Sequence, residues 1–561
     1  MESQIPFLDY RLVGYTHSLG LRGSKTVGRR LSSGMVCRGF FPESLAIGQI
    51  WSLSSSRVDS RSNSRKIALG LTWKTISNCG VLGLGLITSV VLNRWYGPDQ
   101  YGLLVMVFTV TSLATTCAGF GSQPTINRYI PRYRQEGRHE DAASLLVVGA
   151  VLQTIGILLF GGLILVVARP IAVKFFHRND LVGLIIVGAL AFAGFSAFSF
   201  MSNLYQALEV WHIEGFLSVL YPALYLLGVL LALAAGWGIW AALVANGLGA
   251  LVTVAVGWWR LPSVFRVSLR GRLGRSVVLD HVRTIVVFGL PTLAIQTNFF
   301  LLMWFDKAWL GRHGGSNLLT YFYLATLFYT GMMVFMKALY TVYMPHVATL
   351  PLDDIEEVER QYTIVFRSFL HGAILICLVA FWWIGPAVHV LYGPGYAPTI
   401  WAFRWLLVIF ILRAVFNPCG MFLQNVYANT RKAALLGTAL TGTNILLDVL
   451  LIPSYGIMGA IVASIIAYIV YWVVFLIFAP EVRTLLPLAA IRRTAQVGIV
   501  ILLPLLWLRG VGGGFAFSLG LGFPILYILG LKVLGEISSS DWELVRILFA
   551  AFRRETAETV A

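Results

Sequence analysis

The chain has 561 residues, of which 58% are hydrophobic and only 12% are charged. A soluble globular enzyme would carry about 25% charged residues, so the composition excludes that class and predicts a polytopic membrane protein. The net charge of +17 does not indicate nucleic acid, because the basic residues stand between apolar segments and in the N-terminal stretch. Anionic lipid headgroups are their expected partner.

Residues 1–65 form the first stretch, which is rich in arginine and serine. They contain few acidic residues and no uninterrupted apolar core of the kind found in signal peptides. The composition predicts a disordered cytosolic extension, or sequence that lies upstream of the true start of the protein. An organellar transit peptide is the alternative.

From residue 67 onward the chain contains fourteen apolar segments, each long enough for a bilayer crossing of about 20 residues. They cover residues 67–93, 101–121, 143–167, 181–208, 216–236, 239–259, 285–310, 319–344, 364–391, 399–424, 433–452, 457–478, 488–508 and 514–534. Hydrocarbon offers no partner for an unpaired amide group, so each segment is expected to be a helix. The predicted fold class is an all-α polytopic membrane protein with about fourteen transmembrane helices.

Two halves of the chain repeat one another at a constant offset. Gln206 is separated from Gln424 by the same number of positions as Gly238 from Gly456. A repeat inside long apolar segments indicates a transporter made of two helical bundles. We therefore predict two repeated six-helix lobes around a central cavity, followed by two C-terminal helices.

The predicted divisions follow from the segments and the repeat. They are an N-terminal extension at 1–65, an N-lobe at 66–259, a basic cytoplasmic linker at 260–284, a C-lobe at 285–480, helices 13 and 14 at 481–536 and a cytoplasmic tail at 537–561. The stretch from Arg260 to Arg283 is the longest polar connection between helices. It either links the lobes as a loop or forms an amphipathic helix on the headgroups, and both interpretations stay open.

Arginine and lysine collect in alternate loops, and this distribution predicts the orientation. With the N-terminus inside, the cytoplasmic side receives the basic clusters at residues 128–138, 260–283, 431–432 and 483–493. The opposite loops hold far fewer basic residues. Both termini are therefore predicted to be cytoplasmic.

The sequence contains no catalytic constellation. Metalloprotease His-Glu-x-x-His, phosphate-binding and Gly-x-Ser-x-Gly motifs do not occur. The five cysteines stand at no metal-ligand spacing. We expect neither enzyme activity nor a bound metal or cofactor.

Charged residues inside apolar segments are informative, because each costs at least about 2.5–3.5 kcal/mol at mid-membrane and usually faces a cavity. Arg413 lies near the middle of the tenth segment, and its guanidinium fork suits a phosphate or pyrophosphate. Pairing with a buried carboxylate such as Asp448 is the alternative. Lys337 is a second candidate for the same anion, although it can also snorkel to the interface. Arg404 is half a turn out of phase with Arg413 and is expected to face elsewhere.

Acidic and amide side chains suggest ion coupling. Asp448 and Asn444 lie one helical turn apart and share a face, so they bind Na⁺ or carry a proton, or else hydrogen-bond between helices. Asp306 either faces the cavity or lies at the interface. Lys307 points in another direction, so a salt bridge between these neighbours is not expected. Lys74 is expected to be an interfacial anchor.

Four motifs occur in order along the chain. They are Leu92–Gly102 (LNRWYGPDQYG), Gly289-Leu290-Pro291 leading to Asp306, Leu391–Ala397 (LYGPGYA), and Leu451-Ile452-Pro453 through Gly459-Ala460. With the fourteen segments and the repeat, this order resembles the polysaccharide transporters, the Wzx-type lipid-linked oligosaccharide (O-antigen) flippases of the multidrug/oligosaccharidyl-lipid/polysaccharide exporter superfamily. The resemblance covers about residues 66–550.

The resemblance implies two six-helix lobes in a V around a cationic cavity, in the bacterial cytoplasmic (inner) membrane. It implies alternating access that moves a polyprenyl-pyrophosphate-linked glycan to the outer leaflet. The expected partners are that glycan lipid, membrane lipids, and a glycan polymerase with chain-length machinery. An ion-coupled multidrug exporter is one alternative, although it should usually have twelve helices and an acidic cavity. A membrane-embedded glycan polymerase is the other, although it should carry a large outer loop.

Overall fold

The structure of the protein is a computed structural model that describes residues 45–264, 274–348, 350, 354–427, 429–487, 491–494, 496 and 514–533. Every regular element in these ranges is helical. The helices are α1 (Leu45–Ala118), α2 (Ser122–Gln135), α3 (His139–Pro170), α4 (Leu181–Ala207), α5 (Trp211–Ala234), α6 (Trp240–Val264), α7 (Arg275–Thr284), α8 (Leu290–Val347), α9 (Ile355–Leu391), α10 (Ala397–Asn425), α11 (Thr430–Tyr455), α12 (Ile457–Phe478), α13 (Pro480–Arg483) and α14 (Gly514–Val533). The all-α prediction is confirmed.

Two compact units divide the chain, Met1–Arg65 and Lys66–Ala561. In the first unit, residues 45–65 are helical, and residues 1–44 lie outside the described residues. The nature of the predicted extension therefore stays a prediction. All further contacts described below lie within the second unit.

Ten of the described helices are long and apolar enough to cross a membrane, and the protein is a multi-pass membrane protein. Two of these stretches, Ile76–Ala118 and Pro291–Met344, have 43 and 54 residues. At about 1.5 Å per residue each exceeds twice the hydrocarbon thickness of about 30 Å, so each supplies two crossings. The described helices thus account for all twelve predicted crossings of the two lobes. Of the last two, α14 matches the predicted segment 514–534, while most of 488–508 lies outside the described residues.

Both long helices break at a single glycine. Gly97 has φ 77° and ψ 173°, and Gly315 has φ 75° and ψ 177°. Residues with a side chain rarely adopt this left-handed φ, so glycine is the residue that permits the break. We name the halves α1a (residues 45–96), α1b (98–118), α8a (290–314) and α8b (316–347).

Contacts at both ends of α1b place it beside α8a. Gly102, early in α1b, packs against Ser316, which directly follows the break after α8a. Gly121, just after α1b, packs against Gly289, which directly precedes α8a. The two half-helices therefore run antiparallel as neighbours. They belong to different repeats, so this pair joins the two halves of the protein.

The structure extends the repeat seen in the sequence. Gly97 and Gly315 are separated by the offset of the sequence repeat, and their dihedral angles agree within a few degrees. The ends of α4 and α10, at Ala207 and Asn425, stand at the same offset. A glycine at the equivalent position therefore produces the same helix break in both halves.

The predicted linker is helical in part. Helix α6 continues to Val264, α7 covers Arg275–Thr284, and residues 265–273 lie outside the described residues. Helix α7 is two-faced: His281 is buried against the ring of Tyr133, whereas Leu279 is exposed. The amphipathic interpretation rested largely on residues 264–269, of which 265–269 lie outside the described residues, so both interpretations of the linker stay predictions.

Close packing of α3 on α1b depends on Gly156. A methyl group there would overlap the carbonyl oxygen of Ala118, whereas a methyl group at Gly162 on the same helix meets no atom within 4 Å. We expect Gly156→Ala to destabilise the protein by about 1–3 kcal/mol through overpacking. We expect Gly162→Ala to be neutral or slightly stabilising, since alanine is the better helix former. Thermal unfolding of both variants in detergent checks this, and equal midpoints would contradict it.

Candidate functional site

A cavity of about 340 Å³ lies in the second repeat, between α8, α10 and α12. This volume is within the range of about 300–1,000 Å³ that is usual for ligand sites. Three charged residues line it, namely Asp306, Lys307 and Arg413. A charged cavity within membrane-spanning helices indicates a site for a polar or ionic ligand.

Arg413 projects into this cavity from the middle of α10. The side chains of Tyr329 and Tyr468 line the cavity beside Arg413 and interact electrostatically with its guanidinium. Among the described residues its guanidinium forms no salt bridge. The alternative pairing with Asp448 is therefore wrong, because neither carboxylate oxygen of Asp448 has a hydrogen-bond partner among the described residues. Arg413 is available to an anionic ligand.

Asp306 and Lys307 form a salt bridge, which the sequence analysis did not expect. The ammonium Nζ of Lys307 lies 3.2 Å from Oδ1 of Asp306 and donates to the carbonyl of Met303 at 2.6 Å. Adjacent side chains leave a helix in different directions, but the four-carbon lysine stem folds back along the preceding turn. Both residues are more than nine-tenths buried, where a nearby opposite charge is worth far more than in water. Burial of both charges therefore favours the salt bridge, although the two side chains leave the helix in different directions.

Asp448 and Asn444 on α11 are not part of the cavity lining, and they have different contacts. Asn444 donates to the hydroxyl of Ser464 on α12 at 3.2 Å, which is a hydrogen bond between helices. Asp448 is fully buried, and neither of its carboxylate oxygens has a hydrogen-bond partner among the described residues. The strongest nearby charges are those of Asp306 and Lys307. The fold thus brings the two predicted carboxylates into one cluster.

Two other predicted cations lie away from the cavity. Lys337 is exposed on α8b and is not part of the cavity lining. Arg404 lies over the ring of Phe381 at 4.6 Å and donates to the Phe381 carbonyl at 3.4 Å. The expectation that Arg404 and Arg413 face different surroundings is confirmed, since they leave the same helix in different directions.

The first repeat contains a buried ion pair that the sequence analysis did not predict. Lys74, the expected interfacial anchor, places its ammonium 2.5 Å from Glu214, which is fully buried at the start of α5. The same oxygen, Oε1, accepts from the hydroxyls of Ser202 and Ser218, each at 3.0 Å. Glu214 stands just before the predicted segment 216–236, and this acidic residue was the sequence feature that could have indicated the ion pair.

Aromatic side chains form much of the cavity wall, and the sequence analysis did not identify them as site residues. Trp304 and Tyr323 line it from the two halves of α8, together with Tyr329 and Tyr468. Aromatic residues are frequent in the apolar segments of this chain, so their type alone carries no signal. Ser464 and Tyr468 are one helical turn apart and so form a polar strip on one face of α12. This spacing was the sequence feature that could have indicated that α12 lines a cavity.

Hydrogen bonds join the two repeats at the Gly97 face, by which we mean the side of the bundle where α1 and α8 break. The hydroxyls of Ser89 and Tyr392 are 2.6 Å apart. Thr320 donates to the carbonyl of Pro98, also at 2.6 Å. The passage between the repeats is therefore closed at this face.

The opposite side, the Gly121 face, is closed by backbone packing. A Cβ atom at Gly289 would lie 2.5 Å from the carbonyl oxygen of Gly121, so the two backbones touch. Beside them, the guanidinium of Arg128 lies 4.5 Å from the ring centre of Phe288. The structure is thus a state in which the repeats meet at both faces.

Comparisons with known proteins agree with this architecture. A family model described as "Polysaccharide biosynthesis protein" matches residues 67–351. An uncharacterized membrane protein of Methanocaldococcus jannaschii is 22% identical over 513 residues, which are 85% of this chain and 97% of that protein.

Two solved structures show the same fold. The lipid II flippase MurJ in an inward closed conformation is 14% identical with a TM-score of 0.65, covering 82% of this chain and 98% of its own. An inward-facing multidrug resistance transporter of the MATE family and MOP superfamily is 17% identical with a TM-score of 0.57, covering 72% of this chain and 95% of its own. At these identities the likeness establishes the fold alone.

Proposed function

This chain belongs to the polysaccharide biosynthesis protein family, and on that premise we propose that it flips a polyprenyl-pyrophosphate-linked oligosaccharide across the bacterial cytoplasmic membrane by alternating access. The observation that carries the proposal is Arg413, a guanidinium without a salt bridge among the described residues, in a cavity at the middle of a membrane-spanning helix. A fixed cation at this depth is costly unless a ligand uses it. The two negatively charged phosphates of a lipid-linked glycan are such a ligand.

The proposed transport needs no covalent chemistry. A glycan headgroup cannot enter hydrocarbon, because its hydroxyls would lose their hydrogen bonds to water. The lipid tail can remain in the bilayer while the cavity carries the headgroup. The chain's own residues then bind, orient and release the headgroup, which is the work of a transporter and not of an enzyme.

Alternating access is supported by the contacts at the two faces. Hydrogen bonds close the Gly97 face, and the backbone contact of Gly121 with Gly289 closes the other. The two sets lie on opposite sides of the bundle and share no residue, so one can break while the other holds. In the transport cycle one face opens to load the headgroup and the other opens to release it.

We propose that Asp306, Asp448 and Asn444 couple transport to an ion. Asp448 is a buried carboxylate without a hydrogen-bond partner among the described residues, and the charge of Asp306 acts on it. A buried charge of this kind is retained where it binds a cation or a proton. The proximity of Lys307 to both suggests that cation binding and substrate binding compete for the same charges. Lys337 remains a proposed anion contact in a more open state.

The proposed topology places the Gly97 face outside and both termini in the cytoplasm, with an N-lobe at 66–259 and a C-lobe at 285–480. A cysteine introduced at Trp237, beyond the end of α5, should then react with a membrane-impermeant maleimide in intact cells. A cysteine at Glu356, in the first turn of α9, should react only after the cells are opened. The reverse pattern would refute this orientation.

Reconstitution tests the proposed function directly. Purified protein in liposomes is expected to move a fluorescent polyprenyl-pyrophosphate oligosaccharide between leaflets, read as a change in its accessibility to an impermeant quencher. A cationic dye is the comparison substrate, because the acidic cluster at Asp306 and Asp448 would suit a drug exporter. Expulsion of the dye without movement of the glycan lipid would replace the flippase with the exporter.

A further inference from the structure

We propose that Trp304 and Tyr323 form an aromatic platform that binds the first sugar of the substrate, the one attached to the pyrophosphate. The inference rests on the proposed function and assigns a part of the cavity that the phosphates would not occupy. It predicts that the protein distinguishes glycosylated from sugar-free polyprenyl pyrophosphate. The substrate class is thus a pyranose presented beside a diphosphate.

Geometry places the platform beside the cations. The ring centres of Trp304 and Tyr323 are 6.4 Å apart with an angle of 39° between the planes, and both rings line the cavity. Lys307 Nζ lies 5.8 Å from the ring centre of Trp304. A sugar phosphate needs this combination, because its C–H face packs on an aromatic ring while its phosphate contacts a cation.

Packing behind the platform holds it in place. Phe300, one turn before Trp304 on α8a, is nearly parallel to it, with ring centres 6.2 Å apart and planes at 14°. On α8b, Tyr323 contacts Tyr101 of the first repeat, with ring centres 6.1 Å apart. Rings that are fixed by neighbours lose little entropy when a ligand binds. The platform is therefore preorganised.

Hydroxyl groups accompany the aromatic rings. Thr326 and Thr330 line the cavity, one and two turns beyond Tyr323 on α8b. Each donates its hydroxyl hydrogen to a backbone carbonyl, at 2.8 Å to Tyr323 and at 2.7 Å to Thr326. Their oxygens keep lone pairs that can accept from sugar hydroxyls. This strip supplies the polar half of a sugar site.

The cavity volume limits what this site holds. Its volume of about 340 Å³ is near the lower end of the range of about 300–1,000 Å³ that is usual for ligand sites. A site of this size suits a small ligand such as one sugar beside phosphate, and not an oligosaccharide. The remaining sugars must lie outside the cavity, so recognition here is confined to the sugar nearest to the pyrophosphate.

The test compares three lipids, a polyprenyl pyrophosphate without sugar, one with a single hexose and one with an oligosaccharide, by equilibrium binding to purified full-length protein. Trp304→Ala is expected to weaken binding of both glycosylated lipids by about 3- to 10-fold and to leave the sugar-free lipid unchanged. Trp304→Phe should restore most of the affinity. Trp401→Ala is the matched control, since Trp401 is an exposed tryptophan outside the cavity lining.

Several outcomes overturn the platform. Equal loss for all three lipids would show that Trp304 acts on the anion or on the fold, and no loss would show that the sugar is not bound there. Tyr323→Leu provides an independent reading if Trp304→Ala does not fold. If wild-type protein binds none of the lipids, the proposed function itself fails. Wild-type binding that Trp304→Ala and Tyr323→Leu leave unchanged refutes the platform alone.

Discussion

Arg413→Ala is expected to slow translocation of a polyprenyl-pyrophosphate oligosaccharide by about 10- to 100-fold in proteoliposomes. A hydrogen bond to a charged group contributes about 1.5–3 kcal/mol, and each 1.4 kcal/mol is about tenfold in an equilibrium constant. Arg413 lines the cavity and forms no salt bridge among the described residues, so its charge is available to the substrate. Arg413→Lys should retain part of the rate, because lysine keeps the charge but lacks the planar fork.

Arg404→Ala is the matched control for this prediction. The residue lies on the same helix and carries the same charge, but its guanidinium is over the ring of Phe381 and outside the cavity lining. The control should therefore translocate at the wild-type rate once expression is normalised. Equal rates for wild type and Arg413→Ala would contradict the anion role of Arg413 and remove the main support for the flippase.

Asp448→Asn is expected to abolish the dependence of transport on an ion gradient. The amide has nearly the shape of the carboxylate, but it carries no charge, takes up no proton, and attracts Na⁺ much more weakly than a carboxylate does. The measurement is the translocation rate under an imposed Na⁺ gradient and, separately, under a pH gradient. Wild type should respond to one of the two by about tenfold or more, which is about 1.4 kcal/mol of coupling.

Stability separates this functional loss from misfolding. A buried carboxylate without hydrogen-bond partners among the described residues costs free energy of folding, about 1–3 kcal/mol for the unsatisfied group. Asp448→Asn should therefore unfold at a temperature no lower than wild type. Asp141→Asn is the control, since Asp141 pairs with Arg138 at the surface, where such a pair contributes little. Retention of the wild-type ion response in Asp448→Asn, or no ion response in wild type, would refute the coupling role.

The membrane-spanning segments were predictable from local properties. Apolar runs of about 20 residues define crossings without reference to the rest of the chain, and Gly97, where α1 does break, lies between the predicted segments 67–93 and 101–121. The repeat was predictable for the same reason, since a constant offset between motifs is a property of the sequence. Arg413 was found by depth in its segment, which is also a local measure.

The surroundings of these residues depended on the packing of the helices. Hydropathy says that a charge is inside the membrane, but it does not say which helix faces it. The cavity exists because α8, α10 and α12 meet there, and only that meeting selects Trp304 and Tyr323 from the many aromatic residues of the apolar segments.

The buried charges also show that the sequence does not reveal which side chains meet. Helical periodicity argued against a contact between Asp306 and Lys307, but burial of both side chains made their pairing favourable. Asp448 was assigned an arginine as its alternative partner and instead lies near that pair. The order of residues alone gives the position of each charge along its helix. Which charges meet is set by the tertiary structure, because electrostatic attraction in a low-dielectric interior depends on distances between helices that no single segment encodes.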